Sequence, residues 1–306
     1  MNRILYYGIV LPLSKMPMFF LYGISNLLYL VLYKLIGYRK KVVEAQLRRC
    51  FPEKSDKEIL EIQQRFYRHL ADIFVEGVKG LSISRKELKR RMIVKNPELI
   101  QQIYDNGKSV VMTGGHINNW EWLAASNMYS QHKAIAIGMP LSNKFWNEKI
   151  NQHRERYGVT VAYSKNYKEE IAARENQLIA LLNLGDQSPG NAHTAYWTTF
   201  FNQTTPFLFG TEMMALTYDL SVVYGVVQKV KRGYYTLEFF EIQYDKHNYN
   251  YGDITEKYVQ LLEKQLRNDP AGWLWSHKRW KLSVPENLEE LKLTQMENFK
   301  KKFGEN

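Results

Sequence analysis

The hydrophobic pattern of this chain changes period near Lys108, and each side of that change predicts different elements. Ahead of it, the run from Ile4 to Ile36 carries no charge except Lys15 and Lys34, and Met18 to Tyr33 is apolar apart from Gly23, Ser25 and Asn26. As a helix that stretch is about 24 Å long at about 1.5 Å per residue, slightly short of a hydrocarbon core of about 30 Å. It reads as a marginal span, a deep interfacial helix, or a buried hairpin of two core helices broken at Pro12 and Pro17. No small-residue cleavage site follows, so a retained anchor is expected. Between Tyr38 and Arg91 the spacing predicts charged helices, one of them apolar along Phe66, Leu70, Ile73 and Phe74, with Asp56 as its N-cap.

Beyond Lys108 short apolar runs alternate with longer polar ones. Ser109–Met112, Ala134–Ile137, Val159–Tyr163 and Leu178–Leu182 are expected strands; Ser221–Val227 and Tyr235–Ile242 form a hairpin turning at 229–233. Ile254–Leu266 predicts an amphipathic helix ending before Asp269-Pro270, and Pro285–Asn306 a peripheral helical tail with a frayed end. The alternation implies an α/β fold, a mixed central sheet flanked by helices, behind an N-terminal hydrophobic membrane-anchor helix. The expected division is an anchor over 1–37, an α/β domain over 38–284 and a tail over 285–306.

Charge narrows the partners. Among 306 residues, 42 Lys+Arg against 31 Asp+Glu leave a formal charge of +11, which favours phospholipid head groups, nucleic acid or an acidic carrier protein, or is simply a solvated basic surface. Basic residues follow the greasy segment directly (Lys34, Arg39, Lys40, Lys41, Arg48, Arg49), an arrangement that keeps the rest of the chain on the cytoplasmic side. The stretch from Lys79 to Lys95 reads as a solvated face or a surface for lipid phosphates. One cysteine, Cys50, excludes an internal disulfide and a cysteine-based zinc site.

The candidate chemistry lies in Val110–Trp122, VVMTGGHINNWEW. A strand followed by Gly114-Gly115 places His116 beyond a strand's carboxyl end, where ligands collect in open α/β sheets. Asn118 or Asn119 caps the next helix, and Glu121 falls in its first turn. Five residues advance about 140° on a helix, so only the turn can bring His116 and Glu121 together. If it does, the carboxylate fixes the ring tautomer and leaves a general base; otherwise His116 meets a backbone carbonyl and Glu121 a surface cation.

Three further groups are candidates. Arg154, Arg156 and Gly158 end a helix, where an arginine reaches the mouth of the site or merely the last carbonyls. Gly185-Asp186-Gln187-Ser188-Pro189 is an active-site loop or a plain turn. Trp273 to Lys281, containing Trp275, His277, Arg279 and Trp280, suits a membrane interface or a late core strand. The chain has no G-x-S-x-G elbow, phosphate-binding glycine loop or H-E-x-x-H helix, and His69, His132, His153, His193 and His247 lack ligand spacing. No metal and no dinucleotide are expected.

These motifs resemble those of the late acyltransferases of lipid A biosynthesis, within the H-x-x-x-x-D/E class of glycerolipid and lysophospholipid acyltransferases. The resemblance runs from about residue 5 to 281. It rests on Gly37–Val43, on Arg48-Arg49-Cys50-Phe51-Pro52-Glu53, on GGHINNWEW, on Arg156-Tyr157-Gly158, on Gly185-Asp186-Gln187, on Phe200-Phe201 with Gly210, and on the W-x-W-x-H-K-R-W ending. It implies a glycerol-3-phosphate acyltransferase-like fold and transfer of a fatty acyl chain from acyl carrier protein, or coenzyme A, to a hydroxyl of a phosphorylated glycolipid. The expected place is the cytoplasmic face of the bacterial inner membrane, with no cofactor beyond the acyl thioester and no nucleic acid partner. In that scheme His116 is the base and Glu121 orients it, while Arg156 contacts phosphate or oxyanion and Asp186 shapes the acceptor site. Gln187, Asn119 and His277 join the substrate-binding set. Asn118 and Asn202 stand where glycine is usual, each tolerant of left-handed backbone. Glu212 adds an acid that bears on the acceptor, for which a lysophospholipid or aminolipid is the alternative; a non-catalytic, basic membrane-surface protein is the other reading.

Overall fold

The computed structural model describes residues 1–245 and 248–304. The chain begins with two short helices, α1 (Asn2–Leu5) and α2 (Leu11–Lys15), joined by a π-helical stretch. After Pro17 comes α3 (Met18–Tyr29), which continues through a second π-helical stretch to Leu35. Met18–Leu35 is the one helix among the described residues long and apolar enough to cross a membrane, judged by length and composition. Only 17% of it is buried, so the hairpin of two core helices does not form. Leu21, Ser25 and Tyr33 turn inward, while Phe19, Leu27, Leu30 and Leu35 face out.

Helices α4 (Lys40–Cys50) and α5 (Asp56–Gly80) follow. Ser55, rather than Asp56, caps α5: its hydroxyl accepts from the backbone of Glu58, whose carboxylate returns to the Ser55 amide in a capping box. Phe66, Leu70 and Ile73 are buried as the spacing predicts, but Phe74 is exposed. In the basic stretch, α6 (Arg85–Arg91) turns Arg91 inward against Glu87 and the Gly233 carbonyl, and Lys79 meets the Met16 carbonyl. Several of these cations therefore brace the fold.

The rest is α/β. In chain order come β1 (Met92–Val94), α7 (Pro97–Asp105), β2 (Val110–Gly114), β3 (Lys133–Gly138), α8 (Lys144–Glu155), β4 (Val159–Tyr163), α9 (Tyr167–Ala172) and β5 (Ile179–Leu184). Then follow the small antiparallel pair β6 (Tyr196–Phe200) and β7 (Gln203–Phe207), α10 (Gly210–Thr217), β8 (Ser221–Lys231), β9 (Tyr234–Glu241), α11 (Asp253–Asn268) and α12 (Leu288–Phe303). Seven strands form a mixed sheet in the order β1-β9-β8-β2-β5-β3-β4, parallel except for the β8–β9 hairpin. Apolar clusters cover both faces, which is why the central strands read as continuous hydrophobic runs. The tail is helical as expected and packs inward through Phe299; its terminal residues 305–306 lie outside the described set, as does His247.

Register explains the site. β2 and β5 are neighbours, parallel, with Gly114 opposite Leu184. The chain leaves both strands at the same edge, and two residues further on lie His116 and Asp186.

Candidate active site

His116 and Asp186 meet at that edge. The Asp186 carboxylate accepts the His116 backbone N–H at 2.9 Å through Oδ2, and its Oδ1 lies 2.7 Å from Nδ1 of the ring. Trp273 Nε1 donates to the same carboxylate at 2.7 Å. An ionised carboxylate only accepts, so Nδ1 carries the proton and Nε2 is left free for a substrate. Asp186 is 1% exposed. Burial favours its neutral form, yet the charge and hydrogen bonds of His116, with those of Trp273, hold its pKa below the usual aspartate value. Burial likewise works against a charged His116, and the Asp186 carboxylate overcomes it, with Glu121 adding to the same effect: the histidine pKa is raised.

The motif turn is clamped from outside its own sequence. Asn118 N–H donates to Gly272 O at 2.8 Å, Leu274 N–H to His116 O at 3.2 Å, and Ile117 bridges Trp273. Gly115 is closely packed: a Cβ there would sit 3.0 Å from the Leu262 side chain, which would have to shift by a few tenths of an ångström. Asn118 adopts φ 54° and Asn202 φ 56°, so both asparagines hold the left-handed backbone expected of them. The tryptophan-rich ending is not a strand: Trp273, Trp275 and Arg279 are buried, and Trp273 holds the Asp186 carboxylate.

Several expected roles are corrected. Glu121 does not hold His116; the turn points it at Arg154, whose Nη2 donates to both its oxygens at 2.9 and 3.0 Å. Arg156 turns away, donating to the Leu81 and Ile83 carbonyls at 2.5 and 3.0 Å, so the arginine that reaches the site from this helix end is Arg154. Asn119 is fully buried: its side-chain oxygen caps the 3-10 helix Trp120–Tyr129 through Trp122 N–H, and its amide donates to Glu76. It has no surface to offer a substrate. Glu212 is no acceptor determinant but a cap for α11, taking the Gly252 and Thr255 amides and the Thr255 hydroxyl. Asp186 is better described as the partner of His116 than as a shaper of the acceptor site. Gln187, in the same loop, is half-buried and makes no hydrogen bond among the described residues. His277 lies near, accepting the Ser188 N–H on Nε2 at 3.1 Å; burial and neighbouring cations push its pKa down to about 4, so it braces the Asp186 loop as a neutral ring.

Beside these groups opens a cavity of about 480 Å³ lined by Leu70, Ile73, Phe74, Trp120, Ile150 and Leu274, with Glu121 and His277 among its polar members. Phe74 is exposed because it lines this opening rather than the core. Sequence spacing gave no sign of Glu76, a buried carboxylate that collects Tyr22, Asn119 and Tyr235 and so joins α3, α5, the motif turn and β9. A charged residue on the apolar side of the α5 pattern is the one signal that would have found it.

A family model described as bacterial lipid A biosynthesis acyltransferase matches residues 2–282. No curated protein matches the chain.

Proposed function

The chain belongs to the bacterial lipid A biosynthesis acyltransferase family and is therefore an acyltransferase, and from that premise we propose that it moves a fatty acyl chain from acyl carrier protein to a hydroxyl of a phosphorylated lipid A precursor. The observation that carries the mechanism is the His116–Asp186 pair, whose imidazole lies 5.5 Å, centroid to centroid, from the ring of Trp120, a residue that lines the apolar cavity. His116 Nε2 takes the proton of the acceptor hydroxyl as its oxygen attacks the thioester carbonyl. The tetrahedral centre collapses, the C–S bond breaks, and the sulfur leaves with its electron pair, taking the proton back from the imidazolium. Asp186 keeps the ring in the right tautomer and stabilises its charged form. No covalent acyl-enzyme is required, in keeping with a chain that has no nucleophile elbow.

Arg154 uses only Nη2 on Glu121, so its other nitrogens are available to an anionic oxygen at the site. Here Glu121 acts as the orienting partner of Arg154. The apolar cavity takes the acyl chain, and the positive surface draws in the acidic carrier. The N-terminal helix holds the enzyme at the cytoplasmic face of the inner membrane. Its inward side is tied to α5 by Tyr22 to Glu76 and by Ser25 to Asp72, which supports a helix bedded in one leaflet with Phe19, Leu27, Leu30 and Leu35 in the lipid.

The test is turnover by purified enzyme with labelled acyl carrier protein and a lipid A precursor, the product identified by mass. His116→Ala is expected to lower the rate by about 10²–10⁴, the usual reach of general-base catalysis. Unchanged transfer by a folded His116→Ala enzyme would rule the mechanism out.

A further inference from the structure

On the other side of α5 from the apolar cavity lies a much larger cleft, about 1250 Å³. Its walls are α3, α5, β8 and α11, and it touches the motif turn only at Ile117 and Asn118; none of His116, Glu121 or Asp186 lines it. Six cationic side chains line it, Arg65, Arg68, Lys229, Lys231, Arg232 and Lys264, against two carboxylates, Asp72 and Asp269. The spacing of Arg65, Arg68, His69 and Asp72 sets all four on one face of α5.

The charges are not consumed by the fold. Asp72 takes Arg232 at 2.6 Å and Lys229 at 3.6 Å, and Asp269 lies 3.4 Å from Arg65. Arg68, Lys231 and Lys264 have no carboxylate partner among the described residues; Arg68 and Lys231 lie over the rings of Tyr29 and Tyr234. Lys229 also donates to Nδ1 of buried His69, whose pKa burial and that neighbouring cation push down to about 3, so the ring is neutral and cancels none of the positive charge. Surplus cations concentrated in a cleft select an anion of more than one charge, and a phosphate monoester carries about −1.5 to −2 near neutral pH.

The rim shows how that anion is delivered. Leu30, Val230 and Phe240 line the cleft and are exposed, and Leu30 belongs to the same outward apolar face as Phe19 and Leu27. Exposed cations beside exposed apolar side chains in one cleft fit a headgroup whose tails remain in the leaflet better than they fit free inorganic phosphate. We propose that this cleft is a second lipid site, separate from the reaction centre, that holds the phosphate monoester headgroup of a membrane lipid. Its existence does not depend on the acyl-transfer mechanism, because binding is read without turnover.

The experiment is calorimetric titration of the full-length, detergent-solubilised enzyme with dihexanoyl phosphatidic acid, dihexanoyl phosphatidylcholine and inorganic phosphate. Phosphatidic acid is expected to bind at least about tenfold more tightly than the other two, with an affinity that falls as salt rises. R68A/K231A/K264A alters three exposed side chains and is expected to weaken it by about tenfold or more at unchanged melting temperature, as is the single substitution Lys264→Glu in lesser degree. His116→Ala is expected to leave it unchanged. Equal affinity for phosphatidylcholine removes the charge argument, and equal affinity for inorganic phosphate removes the lipid. Retained binding in both cleft variants, or loss of binding in His116→Ala, overturns the placement.

Discussion

Asp186→Asn isolates the partner of His116. The substitution keeps the size of the side chain and removes its charge, while the His116 amide, the His116 ring and Trp273 Nε1 all need an acceptor there. An asparagine has one oxygen for these three donors, and its NH2 group faces at least one of them. A hydrogen bond to a charged group contributes about 1.5–3 kcal/mol. Losing the ring bond alone from the transition state, where the imidazolium has formed, slows transfer by about 10- to 150-fold at 1.36 kcal/mol per factor of ten. The pH profile carries the sign. The base acts when unprotonated, so the rate rises with pH through the His116 pKa, which Asp186 raises. Without that carboxylate the pKa falls, and the acidic limb of kcat/KM moves to lower pH while the plateau drops. The assay is acyl transfer across pH for wild type, Asp186→Asn and Glu121→Gln, each checked for folding by circular dichroism. If the limb moves in Glu121→Gln and stays in place in Asp186→Asn, the assignment of the pair is wrong.

Arg154→Ala breaks a half-exposed ion pair and is expected to change stability by less than about 1 kcal/mol but to slow transfer at least about tenfold; a change in denaturation midpoint without loss of rate reverses the role given to it. Glu212→Ala strips the N-terminus of α11 of three bonds to a buried carboxylate and is expected to cost about 3 kcal/mol, read as a lower Tm with the choice of acceptor lipid unaltered. The His116–Asp186 pair also predicts a stability window. Its contribution is complete between the pKa of a free aspartate, about 3.9, and that of a free histidine, about 6.5; it fades as pH rises through the raised His116 value and as pH falls through the lowered Asp186 value. Tm measured against pH should therefore drop less at both ends in a His116→Gln, Asp186→Asn double variant than in wild type.

Local pattern made most of the fold legible. β4 matched to the residue, α11 to within two residues at each end, and the β8–β9 hairpin formed, although β8 runs to Lys231, past its expected end at Val227, and so turns at 232–233; the sheet followed from the alternation of strands and helices. At α5 the pattern was right and the cap wrong by one residue, because Ser55 and Asp56 are both good N-caps and only the reciprocal bond to Glu58 selects the first. Phe74 looked like core because hydrophobicity does not say whether a side chain fills a core or lines an opening.

The site was legible in its histidine and not in its carboxylate, for a reason of topology. His116 and Glu121 are joined by a short turn, so sequence favours their contact, whereas Asp186 is 70 residues away. What brings Asp186 in is the insertion of β5 between β2 and β3, with Gly114 and Leu184 in register. Strand order is a property of the whole sheet, and no spacing within the motif contains it. The same logic separates Arg154 from Arg156. Two positions apart near a helix C-terminus they differ by about 200° around the axis, so one faces Glu121 and the other the Leu81 and Ile83 carbonyls, and only the seat of α8 on the sheet decides which. The motif turn thus supplies the imidazole, while the sheet supplies the carboxylate that pairs with it.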